Sequence, residues 1–272
     1  MHKFDVIGLS ETMLDATISD EDIHIEGFSR EVYRSDHPSN TKTGGVCLYF
    51  REGLAIKRRQ DLEIIQEMVV YEMCIAHKKI FFVVLYRSPS QNSAEFENFI
   101  DRLQLVVTRI QNENPYALTI TGDFNCRSSQ WWSEDIENLE GSVLDEVLDV
   151  NNLHQLIEEP TNIRGESMTC IDLIITDQPN LFVETGVHPS LDNNCQHQII
   201  HGKLNITLPS PSPYKRTVWN YGKANTCAIK DLLNDINWES KFDGLGSEEM
   251  ADILTDNLLP ILSANIPNRE IK

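Results

Sequence analysis

Ile80-Phe81-Phe82-Val83-Val84-Leu85-Tyr86-Arg87-Ser88-Pro89 runs apolar from Ile80 to Leu85 and then stops at Tyr-Arg and a proline. A short, uninterrupted run of β-branched and aromatic residues reads as a strand buried on both faces. Upstream, Met68 to Ala76 is a second such run, and the polar His77-Lys78-Lys79 between them makes the two a hairpin. Downstream the period changes. Phe96, Phe99, Ile100, Leu103, Val107 and Ile110 recur at helical spacing and predict an amphipathic helix over 93–112, with Asn92 and Glu95 as its N-cap pair. A further strand, Ala117 to Thr121, is closed by Gly122-Asp123-Phe124-Asn125.

The pattern extends outward on both sides. Phe4 to Leu9 reads as a strand ending at Ser10-Glu11-Thr12, and Gly45 to Phe50 as another, with Val46, Leu48 and Phe50 on one face. A helix is expected near 142–151 with Val143, Val147 and Val150 inward, then strands at Thr169–Thr176 and Gln198–Asn205. At Leu208 the composition shifts to Pro209-Ser210-Pro211-Ser212-Pro213, a stiff extended linker. The expected division is therefore a domain over 1–208 and a linker with helical tail over 209–272. The tail carries helical patterns at 225–236 and 247–264, with Ser247 as cap and Ile253, Leu254, Leu258 and Ile261 as a modest apolar stripe. It reads as a segment that docks on something else.

The 272 residues are 40% hydrophobic and 24% charged, an ordinary globular balance that excludes whole-chain disorder, collagen and coiled coil. No apolar run nears the roughly 18 residues of a membrane span, and Asp5 interrupts the first short one, so neither a membrane segment nor a signal peptide is expected. Six cysteines without a CxxC pair argue against a zinc ribbon and read as reduced thiols of an intracellular protein. The net charge is −19, and 89–160 is the most acidic stretch, with 3 basic against 14 acidic residues. Beyond Lys57-Arg58-Arg59 there is no basic footprint, which weighs against strong unassisted binding to nucleic acid. A phosphate recruited through a bound cation remains compatible with this charge.

Polar residues cluster where strands end, the places from which side chains converge on one rim of a sheet. Glu11 ends the first strand, Tyr86 the apolar one, and Asp123 and Asn125 the strand after the helix. Asp172 lies in Ile171-Asp172-Leu173-Ile174, and His197 opens the last strand. Chemically this is a set for hydrolysing a phosphate ester. A glutamate serves a hard cation such as Mg²⁺, which takes oxygen ligands. A histidine paired with a carboxylate binds or protonates a phosphate oxygen. One aspartate is left to orient or deprotonate water, and an asparagine to donate hydrogen bonds to the transition state. Singly each residue has a plain structural reading: a solvated glutamate, a Gly-Asp-Asn turn, a rim aromatic, a surface histidine.

In this order, Glu11-Thr12, Arg34 ahead of Gly44-Gly45-Val46, Tyr86-Arg87-Ser88-Pro89, Gly122-Asp123-Phe124-Asn125, Ile171-Asp172-Leu173-Ile174 and His197 resemble the endonuclease/exonuclease/phosphatase superfamily. DNase I and the apurinic/apyrimidinic endonucleases belong to it, and the likeness is greatest to the endonuclease region of non-LTR retrotransposon polyproteins. It spans about 4–206, and Arg216 to Tyr221 is similar to the linker toward the reverse transcriptase of such polyproteins. The resemblance implies an α+β fold, a four-layer α/β sandwich of two mixed sheets flanked by helices. It implies Mg²⁺-dependent (alternatively Mn²⁺-dependent) cleavage of DNA. A monomer is expected, and localisation stays open: DNA as substrate would require the nucleus, but no clear basic import signal is visible. By position Glu11 matches the metal ligand, Asp123 and Asn125 the water-activating and transition-state residues, Tyr86 the phosphate-contacting tyrosine, and Asp172 and His197 the Asp–His pair. Two departures accompany it. The family's first strand, with its active-site Asn, has no counterpart ahead of Glu11, and Cys195-Gln196-His197 stands where the family carries Ser-Asp-His. These imply weakened activity. A non-catalytic relic or binding module that keeps the fold is therefore a second reading, and a small-molecule or lipid phosphatase of the same fold a third.

Overall fold

The computed structural model describes residues 4–36, 44–75, 77–192, 195–206 and 216–271. By its contacts the chain divides into two compact units, Met1–Leu208 and Pro209–Lys272. Pro209 to Pro213, read above as a linker, lies outside the described residues.

The strands of the first unit are β1 (Val6–Ser10), β2 (Tyr33–Ser35), β3 (Val46–Phe50), β4 (Ile56–Arg58), β5 (Met68–Ile75), β6 (Lys78–Tyr86), β7 (Ala117–Asp123), β8 (His154–Gln155), β9 (Asn162–Arg164), β10 (Ser167–Thr169), β11 (Asp172–Thr176), β12 (Phe182–His188) and β13 (Ile199–Leu204). Two helices, α1 (Ser93–Gln111) and α2 (Leu139–Val150), accompany them. A six-stranded sheet runs β4-β5-β6-β7-β11-β8, a three-stranded one β1-β3-β2, and β9/β10 and β12/β13 are hairpins. Within the large sheet only β6 and β7 run parallel, because α1 carries the chain back across the sheet between them. Asn92 caps α1 as expected: its side chain accepts the N–H groups of Ala94 and Glu95, and Glu95 accepts that of Asn92.

The apolar run from Ile80 to Leu85 is buried at every position, as a strand covered on both faces must be. On one face Phe81, Val83, Leu85, Leu118 and Ile120 pack against Phe99, Leu103, Val107 and Ile110 of α1 and Leu144 and Leu148 of α2. On the other, Tyr71, Phe82, Val84 and Tyr86 meet Tyr33, Val46, Leu48 and Phe50 of the smaller sheet. The outermost layer on that side is irregular: Ile23 and Phe28 cover Val32, Cys47 and Tyr49. The result is a layered α+β sandwich. Its central β6–β7 pair carries the site described below.

Local differences from the sequence reading have identifiable causes. α2 starts three residues early and buries Gly141, Leu144, Val147 and Leu148, whereas Val150 is 81% exposed. Gly141 sets this rotation: a Cβ there would lie 1.8 Å from the Arg127 carbonyl oxygen, so only glycine lets the helix approach. The expected strand over Thr169–Thr176 is broken at Cys170-Ile171. There the N–H groups are drawn to side chains, Cys170 to Asp135 and both Ile171 and Asp172 to the Thr161 hydroxyl. β12 carries a glycine and three polar residues in its seven positions, so no alternation marks it.

The second unit pairs β14 (Arg216–Trp219) with β15 (Asn268–Ile271) and holds α3 (Thr226–Asn234), α4 (Trp238–Phe242) and α5 (Ser247–Asn265). Gly246 rather than Ser247 is the N-cap of α5, its N–H bonded to Glu249. Among the described residues no helix is long and apolar enough to cross a membrane.

Candidate active site

Register builds the site. Tyr86 is the last residue of β6 and stands opposite Asp123, the last of β7, which stands opposite Asp172, the first of β11. Residues paired in register send their side chains from the same face of a sheet, so three neighbouring strands present a Tyr-Asp-Asp row. Tyr86 packs on the face that meets the smaller sheet, which fixes the direction of the row. Glu11 enters from that smaller sheet, directly after β1, and its Oε1 accepts the Tyr86 hydroxyl at 2.6 Å. Glu11 is held in the left-handed region at φ 51°, a conformation costly for a glutamate and found most often where function over-determines the backbone.

His197 completes the group. Its Nδ1 lies 3.0 and 3.2 Å from the two carboxylate oxygens of Asp172. One donor atom each of Asp123, Asp172 and His197 falls within 4.8 Å of the others, and this is the cluster of metal-ligating side chains found among the described residues. Asn125, also left-handed at φ 49°, donates its backbone N–H to Asp123 Oδ1 at 2.9 Å and its side-chain amide to the Arg87 carbonyl at 2.9 Å. One amide N–H and the Oδ1 of Asn125 are left by these bonds. The six candidates thus come together at one rim. Gln196 is exposed, and its backbone carbonyl accepts the Ile163 N–H.

Residues outside the six candidates hold the rim in place. Arg87 is buried under the loop and donates to the carbonyls of Phe124 and Asn125, so it clamps the segment after β7. Thr161, fully buried, fixes the backbone at Asp172 through its hydroxyl. Asn162 reaches His197 Nε2 at 2.8 Å. Of these only Arg87 stood in a recognisable motif. The other two are a threonine just ahead of β9 and the asparagine that opens it, and only the tertiary fold shows their use.

Electrostatics fit the crowding. Burial first, and then the Asp172 charge, pushes the Asp123 carboxyl well above the usual carboxylate range. His197 is pushed up to about 9, chiefly by its hydrogen bond to Asp172. Burial and then the bond to Glu11 raise the Tyr86 phenol, so it stays protonated and donates. Both Asp123 and His197 bind protons more tightly when folded than when unfolded. Stability therefore falls as pH rises. For His197 the contribution is complete below its ordinary 6.5 and is lost as pH passes about 9. With divalent ions chelated, the melting temperature should drop across that window, and His197→Gln should flatten the drop. A melting temperature that climbs between those pH values would contradict the pairing.

The layered sandwich shares its fold with three solved structures. The endonuclease domain of TRAS1, a telomere-specific non-LTR retrotransposon, is 20% identical, with 67% of this chain and 82% of that one aligned at a TM-score of 0.56. The catalytic domain of Xenopus laevis APE2 is 15% identical over 75% and 85% of the two chains, at 0.54. The 3′ phosphatase NExo from Neisseria, bound to a product DNA hairpin, is 16% identical over 74% and 89%, at 0.52. More particularly, residues 80–201 match the family model described as endonuclease-reverse transcriptase. That span holds Tyr86, Asp123, Asn125, Asp172 and His197 and leaves Glu11 outside. No curated protein sequence matches the chain significantly.

Proposed function

We propose that this chain is a divalent-metal-dependent phosphodiester hydrolase acting on DNA, an endonuclease of retroelement type, with residues 1–208 as the hydrolase domain and 209–272 as an appendage. The observation that carries this reading is the convergence of Asp123, Asp172 and His197 beside the Glu11–Tyr86 pair. Nuclease neighbours of the same fold support it.

Three acids, Glu11, Asp123 and Asp172, stand with one imidazole at the rim, and burial and then the Asp172 charge raise the Asp123 carboxyl, a shift that a bound cation would oppose. Such a donor set suits a hard cation, Mg²⁺ or Mn²⁺, with Glu11 as its principal ligand and the aspartates within reach. When bound, the cation offsets phosphate charge and polarises the phosphoryl oxygen. The chain supplies the rest. Asp123, poised by its raised affinity for a proton, takes the proton of the attacking water. Water oxygen bonds to phosphorus as the bond to the leaving oxygen breaks. Asp172 keeps the Nδ1–H of His197 oriented, which leaves Nε2 for a phosphate oxygen. The protonated Tyr86 donates to the same phosphate, and the free N–H of Asn125 to the developing charge. With −19 net charge the protein gains little from its own field, so affinity for DNA should depend on the cation.

Glu11→Ala tests the metal assignment. Nicking of supercoiled plasmid should fall by at least about a hundredfold, since a lost ligand removes several kcal/mol of charge stabilisation. Raising the Mg²⁺ concentration should restore part of the rate. A variant that nicks at the parent rate and parent Mg²⁺ dependence would remove Glu11 from the site.

A further inference from the structure

His197 has two ring nitrogens, and the structure accounts for both. Nδ1 is committed to the Asp172 carboxylate at 3.0 Å. Nε2, the nitrogen left to meet a substrate, is met by the side-chain amide of Asn162 at 2.8 Å. The contact is built into the backbone. Asn162 and His197 form an isolated antiparallel bridge, flanked by Ile163 N–H to the Gln196 carbonyl at 2.9 Å and Gln198 N–H to the Thr161 carbonyl at 2.7 Å. Thr161, next in the chain, also holds Asp172. One short segment therefore sets both partners of the imidazole. An amide suits the position because it offers a donor to a neutral Nε2 and, after a half-turn, an acceptor to Nε2–H.

We infer that Asn162 is a positioning residue that caps Nε2 of His197 in the resting site and yields that nitrogen to an incoming phosphate oxygen. The inference rests on the hydrolase reading above. A bond from the imidazolium to a phosphate oxygen is charged on both sides and roughly twice as strong as one to a neutral amide, so the exchange runs toward substrate. The cap keeps the ring in the productive plane before substrate arrives and weakens apparent phosphate affinity by the worth of one amide bond. That worth is a factor of about three to ten.

The test uses the full chain labelled with ¹⁵N-histidine, with Mg²⁺ present and neutral pH held fixed. Inorganic phosphate is titrated in, and the Nε2 resonance of His197, assigned with His197→Gln, is followed. Asn162→Ala should bind phosphate about three to ten times more tightly than the parent, and its Nε2 resonance without phosphate should move toward that of a solvated ring. Asn162→Asp, whose carboxylate holds an imidazolium more firmly than an amide does, should bind phosphate more weakly. The opposite signs separate a cap from a scaffold, because damage to the scaffold weakens both variants and lowers both melting temperatures. A parent His197 that responds to phosphate, with Asn162→Ala equal or weaker in affinity, overturns the cap and leaves the hydrolase reading standing. A parent His197 that does not respond overturns the cap together with the phosphate role of His197.

Discussion

Asp123→Asn is expected to slow plasmid nicking by about a thousandfold while raising the melting temperature. The loss is the size expected when a general base is removed, about 10² to 10⁴ in rate. The gain in stability follows from the environment of the carboxyl. Asp123 is 2% exposed, and burial and the Asp172 charge both oppose its ionisation. An asparagine keeps an oxygen for the Asn125 N–H and removes the buried like charge. Stability and activity should therefore move in opposite directions, which is the behaviour of a functional site. A variant that loses both together would mean that Asp123 serves the fold. The two readouts are a supercoiled-to-open-circle time course and a thermal melt of the same preparation.

Gly122→Ala should be the most damaging single methyl in the first unit. A Cβ at Gly122 would stand 1.8 Å from the Leu85 carbonyl oxygen, on a backbone at φ +142° that side chains rarely adopt. Leu85 and Gly122 are register partners in the parallel β6–β7 pair at the centre of the large sheet, so neither strand has room to retreat. A cost above about 4 kcal/mol is expected, enough to leave little folded protein at 37 °C. Gly165→Ala is the control: φ is +63° in the β9/β10 turn and nothing lies within 4 Å, so about 1–2 kcal/mol of backbone strain is the expected cost. Urea unfolding of the two variants side by side would measure the difference. Equal midpoints would show that the close approach of β6 and β7 is not what Gly122 provides.

Much of this architecture is legible in the chain because period and burial coincide. Ile80 to Leu85 is apolar without interruption and lies between two cores, and the helical repeat from Phe96 to Ile110 is the buried face of α1. The strand-end position of Glu11, Tyr86, Asp123 and Asn125 is also legible, since turn formers follow those strands, whereas Asp172 opens β11 and His197 lies just ahead of β13. What is not legible is register. That Tyr86, Asp123 and Asp172 form one row depends on which residue of β6 meets which of β7 and β11, and no local pattern encodes it. The α2 face departs from the sequence pattern at Val150 alone, since Val147 is buried and Val143 packs on the core, and the reason is related. Its valines and leucines describe two overlapping stripes, and the choice between them is made by Gly141 against a distant carbonyl. Thr161 and Asn162 escape notice because their work is to satisfy particular atoms of Asp172 and His197, far away in sequence.

The hydrolase assignment is tested most directly by incubating the purified chain with supercoiled plasmid, with Mg²⁺ and with a chelator, beside Asp123→Asn. The expected result is slow conversion to open circles that requires the cation and disappears in the variant. No conversion at any Mg²⁺ or Mn²⁺ concentration, or conversion that survives both the chelator and Asp123→Asn, would contradict it.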